Sequence, residues 1–340
     1  MIADATLPVI WFFIITGELA LYALLDGANL GIGLLSMLPQ PEDRRGLMLH
    51  TLGPIWNANE TWLLVAAGSL FGAFPAVYSV TLNALYIPGM AVVIGLILRA
   101  VSFEFYDYGE GKWLWGDAFG VGSLLTVLGQ GALFGGLLSG IRTEGQQFAG
   151  GPFDWVTPVT LLVMVGVFFG YVIVGYANLI RKTGYEVAGE TFPRILGAGI
   201  ITLIALTGAS LLLPREYSIF LVRWTTPPTN FVLFGLAALI VAAFAVVVWN
   251  VTRQRDMHLV FPLCQAIFVL GYVGVLVGIY PYMVPPSLTL FDVASPPNTL
   301  RFMLYGIGPL LPIVLAYNWY LAHVFRVEAG GKASKGISGY

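Results

Sequence analysis

The segment 61–98 contains no Asp, Glu, Lys or Arg and is rich in apolar residues. Because the hydrocarbon core of a bilayer is about 30 Å thick and a helix rises about 1.5 Å per residue, a spanning helix needs about 20 apolar residues. The segment is therefore too long for one spanning helix. Pro75, near its middle, predicts a tight turn between two spans.

The composition of the whole chain also excludes a soluble domain. Hydrophobic residues make up 58% of the 340 residues and charged residues only 10%, whereas about a quarter of the residues of soluble domains are charged. A net charge of −2 provides no basic surface for nucleic acid, so we expect no nucleic-acid partner. The single cysteine, Cys264, excludes an intrachain disulfide and a cysteine metal site.

Similar apolar segments recur along the chain and predict an all-α polytopic membrane protein with nine transmembrane helices. The predicted spans are 7–36, 54–74, 80–102, 117–140, 156–180, 194–214, 229–251, 259–284 and 300–324. Of the 16 Lys and Arg residues, 12 fall in one set of connecting segments and 4 in the other. Because basic residues stay on the cytoplasmic side, the N-terminus is predicted to lie outside and the C-terminus inside.

Two short similarities indicate an internal repeat, and in one of them the segments 63–75 and 203–214 share a small-residue pattern that ends in proline. The sequence Gly-Ala-Asn-Leu at 27–30 resembles Tyr-Ala-Asn-Leu at 176–179. Such a repeat predicts two four-helix bundles plus one additional helix. The predicted organisation is a single transmembrane domain over 1–327, with halves of about 1–150 and 151–290 and a ninth helix at 300–324, followed by a cytoplasmic tail at 328–340.

Polar residues within predicted spans are the candidate functional residues, because an ionisable group in lipid must be paired or face a polar cavity. In the first span, Glu18, Asp26 and Asn29 lie roughly on one helix face. The second span begins with a polar group that consists of Trp56, Asn57, Asn59 and Glu60. The third span carries two ionisable residues, Arg99 and Glu104, near its inner end. These residues either carry protons or only hold the helices together.

The histidines and the isolated Asp292 are interpreted as structural. His50, His258 and His323 fall at the predicted inner membrane edge, whereas a haem between helices needs its axial ligands at depth. No His and carboxylate spacing suits a metal. We therefore expect this chain to ligate neither haem nor metal. Asp292 is expected to cap the helix that follows it or to pair with Arg301.

Four ordered segments together resemble subunit II of the cytochrome bd quinol oxidases, including the cyanide-insensitive branch. They are Asp-Gly-Ala-Asn-Leu-Gly-Ile-Gly at 26–33, Gly-Pro-Ile-Trp-Asn-Ala-Asn-Glu-Thr-Trp-Leu at 53–63, Arg-Ala-Val-Ser-Phe-Glu-Phe at 99–105 and Pro-Pro-Ser-Leu-Thr-Leu-Phe-Asp at 285–292. The resemblance implies a haem-free, nine-helix subunit of the bacterial cytoplasmic (inner) membrane. Its implied partner, subunit I, holds two haems b, one haem d and the quinol site, and the pair reduces oxygen to water.

The resemblance also implies a proton path from the cytoplasm and assigns residues to it. Trp56 and Asn57 stand where the family has Trp-Asp, and Glu104 matches the acid at the inner end of the third span. An amide joins a hydrogen-bonded chain but releases no proton at ordinary pH, unlike a carboxylate. Asp26 and Glu60 complete the predicted path, unless the protons pass mainly through subunit I.

The remaining polar residues of the spans are predicted to be structural. These are Glu18, Asn29, Asn59, Arg99 and Asp292. The resemblance further implies bound lipid, a structural quinone and small single-span accessory subunits. Two other functions stay open, a proton-coupled secondary transporter, which the buried carboxylates and the repeat also suit, and a purely structural assembly subunit.

Overall fold

The computed structural model describes residues 4–52, 56–108, 111–183 and 191–333. Their helices are α1 (Leu7–Ser36), α2 (Glu42–His50), α3 (Trp56–Ala73), α4 (Pro75–Ala84), α5 (Tyr86–Tyr108), α6 (Lys112–Leu138), α7 (Pro158–Thr183), α8 (Thr191–Glu216), α9 (Ser218–Thr225), α10 (Thr229–Arg253), α11 (Val260–Ile279) and α12 (Pro297–Ala333). Two short antiparallel hairpins connect helices, β1 (Thr143–Glu144) with β2 (Gln147–Phe148), and β3 (Tyr282–Val284) with β4 (Leu288–Thr289).

Eight helices of the described residues are long and apolar enough to cross a membrane. They are Asp4–Ser36, Tyr86–Tyr106, Lys112–Leu138, Pro158–Thr183, Pro193–Arg215, Thr229–Arg253, Met257–Ile279 and Pro297–Tyr317. The predicted helical, membrane-spanning architecture is therefore confirmed. The second predicted span coincides with α3, which has 18 residues and is not among the eight. The count of nine spans and the orientation stay predictions.

The segment 61–98 is interrupted as expected, but not by a tight turn. Phe74, with φ −138° and ψ 67°, ends α3, and Pro75 begins the short helix α4. A proline suits the first turn of a helix, where its missing N–H is not needed, and it cannot continue the preceding helix. The predicted turn at Pro75 is therefore wrong, and the third span begins at Tyr86 instead of residue 80.

The predicted eighth span, 259–284, ends earlier than expected. Helix α11 stops at Ile279, and the residues that follow form the hairpin of β3 and β4. Pro281, Pro285 and Pro286 have no backbone N–H to donate within a helix, so this segment cannot extend α11. The fold is thus all-α in its spans, with two small hairpins in the connections.

Helix α1 lies at the centre of the molecule, packed against α3, α6 and α7. It crosses α7 where Gly31 meets Gly175, and a Cβ added at Gly31 would lie 2.1 Å from the carbonyl oxygen of Tyr171. Glycines at a crossing allow two backbones to approach closely within a membrane. Every residue of the last part of α1, from Asp26 to Ser36, is buried.

Candidate functional site

Three neighbouring helices each contribute one charged side chain to a buried cluster. Arg99 of α5 binds Asp26 of α1 through both terminal nitrogens, with Nη1–Oδ2 and Nη2–Oδ1 distances of 3.0 and 3.2 Å. The Nη1 atom also lies 3.4 Å from Oε1 of Glu60 on α3. The side chains of Arg99 and Asp26 are fully buried, and that of Glu60 is 20% exposed. We call these three residues the charged cluster.

The charged cluster contains one more acid than base. Its guanidinium balances one carboxylate, and the planar, two-point contact is the strong form of such a pair. A second buried negative charge would be expensive in a low-dielectric interior. A proton bound at the second carboxyl makes the cluster neutral, so the arrangement is suited to accepting and releasing one proton. The ring of Phe119, 5.5 Å from Arg99 Cζ, covers the guanidinium.

A second polar network lies one helical turn from the charged cluster along α1. Gln130 Nε2 donates to Tyr22 Oη at 2.6 Å, and Tyr171 Oη donates to Gln130 Oε1 at 2.9 Å. The network joins α1, α6 and α7, and none of its three members was singled out from the sequence. Gln130 could have been found, because it is an amide within an otherwise apolar span.

The other polar residues of α1 and α3 have contacts outside the charged cluster. Glu18, 2% exposed, accepts a hydrogen bond from Ser69 Oγ at 3.2 Å. Asn59 Nδ2 donates to the carbonyl oxygen of Leu25 at 3.2 Å. Asn29 is buried three residues after Asp26. Glu18, Asp26 and Asn29 are thus all buried, as their predicted common face requires.

The structure separates one predicted path residue from the charged cluster and leaves two others without described side chains. Glu104 is exposed on α5, five residues beyond Arg99, and no ion pair joins it to the described charged residues. Helix α3 begins at Trp56, but the side chains of Trp56 and Asn57 lie outside the described part of the chain. Among the path residues whose side chains are described, the structure brings together Asp26 and Glu60, and Arg99 joins them.

Asp292 stabilises a turn instead of a helix end. Its Oδ2 accepts hydrogen bonds from the backbone N–H of Thr289, at 3.2 Å, and from the Thr289 hydroxyl. Arg301, its alternative predicted partner, forms an ion pair with Asp4. Thr289 is the last residue of β4, so Asp292 holds the end of the hairpin of β3 and β4.

The described histidines are poorly placed for a buried cofactor. His50 ends α2 and His258 lies in the short turn before α11, and both are exposed. Within the described residues, no group of three or more His, Cys, Asp or Glu side chains is arranged to hold a metal ion. The buried groups of the charged cluster are carboxyls and a guanidinium, which are suited to proton exchange and hydrogen bonding.

Comparisons with known proteins agree on one family. The sequence profile of the family described as cytochrome bd terminal oxidase subunit II matches residues 7–325. The chain is 26% identical to cytochrome bd-I ubiquinol oxidase subunit 2 of Escherichia coli K12, over 94% of each chain. It is 26% identical to cytochrome bd ubiquinol oxidase subunit 2 of Bacillus subtilis 168, over 96% of this chain and 98% of the relative.

A solved structure has the same fold. The bd oxidase from Geobacillus thermodenitrificans contains a chain that superposes with a TM-score of 0.75. The superposition covers 94% of this chain and 98% of that chain, at 18% sequence identity. The fold is therefore shared along nearly the full length of both chains.

Proposed function

Because the chain belongs to the cytochrome bd terminal oxidase subunit II family, we propose that it is the haem-free subunit of a quinol oxidase and that it carries protons for oxygen reduction. Members of this family are one subunit of a membrane oxidoreductase, and their partner in that complex is subunit I. In this proposal the partner holds two haems b, one haem d and the quinol site. This chain then serves turnover without being catalytic alone.

The charged cluster is the observation that supports the proposed proton path. Asp26 and Glu60 share one guanidinium, that of Arg99, inside the membrane-spanning part of the chain. Buried groups of this kind are expensive, and in membrane proteins they commonly belong to proton relays. A cluster with one surplus acid is suited to passing a proton between two carboxyls.

The proposed path begins at the cytoplasmic side and ends at the oxygen-reducing site of the partner. Glu104, five residues beyond Arg99 and about 7.5 Å along α5, is exposed and collects protons from the cytoplasm. Trp56 and Asn57 at the start of α3 extend the hydrogen-bonded chain. Glu60 and Asp26 then hold the proton, and Arg99 keeps the two carboxyls in position.

The proposal also specifies the surroundings of the chain. Nine spans, with the N-terminus outside and the C-terminus inside, place the basic residues of the connections at the cytoplasmic face of a bacterial inner membrane. The exposed positions of His50 and His258 support haem ligation by subunit I. A structural quinone, bound lipid and small accessory subunits complete the proposed complex.

Neutral substitutions in the path test this function. Glu60→Gln is expected to lower quinol oxidation by the assembled complex about 100-fold, the usual contribution of one proton-transferring group. Glu104→Gln is expected to lower quinol oxidation less than Glu60→Gln does, because water takes over part of the proton collection at an exposed position. The measurements are oxygen consumption with quinol and proton uptake after a single turnover. Glu144→Gln, on the exposed strand β1, is the matched control and should leave both unchanged.

Other outcomes have definite meanings. Full turnover with normal proton uptake in the Glu60→Gln and Glu104→Gln complexes would contradict the proposed path and leave proton delivery to subunit I. Loss of assembly and haem content with unchanged turnover per haem would indicate a purely structural role. Solute uptake by the chain alone in proteoliposomes would favour the transporter.

A further inference from the structure

Buried polar atoms without a partner lie on both sides of the contact between α1 and α3. Among the described residues, Glu18 Oε2 on α1 and Trp62 Nε1 on α3 are buried and have no hydrogen-bond partner, and the same holds for Arg99 Nε on the neighbouring helix α5. An unpaired buried polar atom costs about 1–3 kcal/mol. Each such atom in a native protein calls for a partner, and ordered water is the common one.

The polar side of this contact is a single face of α1. Glu18, Asp26 and Asn29 lie at helical spacing and are all at most 5% exposed. Asp26 belongs to the charged cluster, and Glu18 lies two turns away, about 12 Å along the axis. The distance is too long for direct proton transfer between the two carboxyls.

The facing side of the contact, on α3, consists of Trp62 followed by three small residues. Trp62, Ala66, Ser69 and Ala73 are spaced on one face, and each is at most 2% exposed. The helices run antiparallel, because Ser69 contacts Glu18 and Asn59 contacts Leu25. Trp62 therefore lies at a level between Glu18 and Asp26. We call this contact the α1–α3 seam. It extends from Glu18 to Asp26 on α1 and from Trp62 to Ser69 on α3.

We propose that ordered waters fill the α1–α3 seam and make Glu18 a proton-storing group at its far end. The proposal rests on the proposed proton path and extends it. Three or four waters spaced about 2.8 Å apart span the distance from Asp26 to Glu18. They hydrogen-bond Trp62 Nε1 and Glu18 Oε2, and they pass Ala66, which has a small side chain on this face of α3.

The proton balance is simple. When the complex is reduced, a cytoplasmic proton passes through the charged cluster and the waters, and an O–H bond forms at the Glu18 carboxylate. When oxygen is consumed, that O–H bond breaks and the proton returns along the same waters to the Asp26 end of the path. No electron is transferred within this chain, and Ser69 stays hydrogen-bonded to the other carboxyl oxygen throughout.

Infrared difference spectra of the assembled complex, reduced minus oxidised, test the storage site. We expect a carbonyl band of a protonated carboxyl that shifts in D₂O and is lost in Glu18→Gln. Quinol oxidation in Glu18→Gln should fall less than tenfold, well below the roughly 100-fold loss expected for a relay residue. The spectrum is therefore the decisive readout, since a merely structural residue would not change this band.

A second pair of variants tests the waters without altering any titratable group. Ala66→Val adds two methyl groups within the seam, and Ala67→Val adds them on the exposed face of the same helix. In Ala66→Val the Glu18 band should be lost from the difference spectrum, or should no longer exchange with D₂O during turnover. In Ala67→Val the band should keep its intensity and its exchange.

The outcomes separate this proposal from the path on which it rests. If Glu60→Gln blocks proton uptake while Glu18→Gln and Ala66→Val leave the spectrum identical to that of the unaltered complex, the storage site is refuted and the path stands. If Glu60→Gln takes up protons normally while Glu18→Gln still loses the band, the path through Glu60 is refuted, and Glu18 is a proton-storing group that is loaded by another route.

Discussion

Replacement of Arg99 by leucine is expected to prevent stable assembly of the complex. Arg99 is fully buried and is bonded to Asp26 at two points and to Glu60 at a third. Removing one partner of a buried ion pair leaves an uncompensated charge and costs about 3–5 kcal/mol. The fully buried Asp26 carboxylate would be left without its counter-charge, so we expect a loss within that range.

Thermal inactivation and the yield of the purified complex measure this effect. Arg142→Gln is the control, because the Arg142 side chain is 81% exposed and lies 3.9 Å from Asp154, and such surface pairs contribute about 1 kcal/mol or less. The double variant Asp26→Asn with Arg99→Leu should recover part of the yield but not the turnover. An Arg99→Leu complex as stable as the unaltered one would contradict the geometry of the charged cluster.

Gly31→Ala is expected to separate α1 from α7 and to destabilise the chain by about 3 kcal/mol or more. An added Cβ would lie 2.1 Å from the Tyr171 carbonyl oxygen and 2.7 Å from the Gly175 Cα. Both neighbours are backbone atoms, so no side-chain rotation relieves the overlap. Because Tyr171 also bonds Gln130, the strain should reach the polar network beside Asp26.

Two matched glycines isolate the effect of the crossing. Gly17 on α1 and Gly170 on α7 have no atom within 4 Å of an added Cβ. Alanine has the higher helix propensity, so Gly17→Ala and Gly170→Ala should be neutral or stabilising by about 1 kcal/mol. The fraction of chain recovered with the complex after heating measures all three. Equal stability of the Gly31→Ala and Gly17→Ala complexes would refute the close crossing.

The spans could be predicted from the sequence because membrane insertion depends on local composition. Charge-free runs located the helices. The ends of the helices depended on single prolines, and a proline can either end a helix or begin one. Pro75 could mark a turn or begin a helix, and only the position of α4 in the fold decides between them. The hairpin after Ile279 was missed for the same reason, since an apolar run alone does not state where a helix stops.

The charged cluster could be predicted only in part. Helical spacing identified Asp26, and its position in a span made it a candidate, but nothing local assigned its partner. Arg99 is 73 positions away in sequence and was predicted to be merely structural. The Gln130 network was missed for the same reason, because its hydrogen bonds join three helices. Partner choice is a property of tertiary packing, so spacing along one helix cannot reveal it.

The most direct test of the proposed function is a reduced-minus-oxidised visible spectrum of the complex purified through a tag on this chain. The chain should be expressed both with subunit I and alone, because the haems are assigned to the partner. The expected result is haem b and haem d bands in the co-purified complex and a colourless isolated chain. Haem bound by the isolated chain, or no haem in any preparation, would contradict the assignment of this chain as the haem-free subunit of a quinol oxidase.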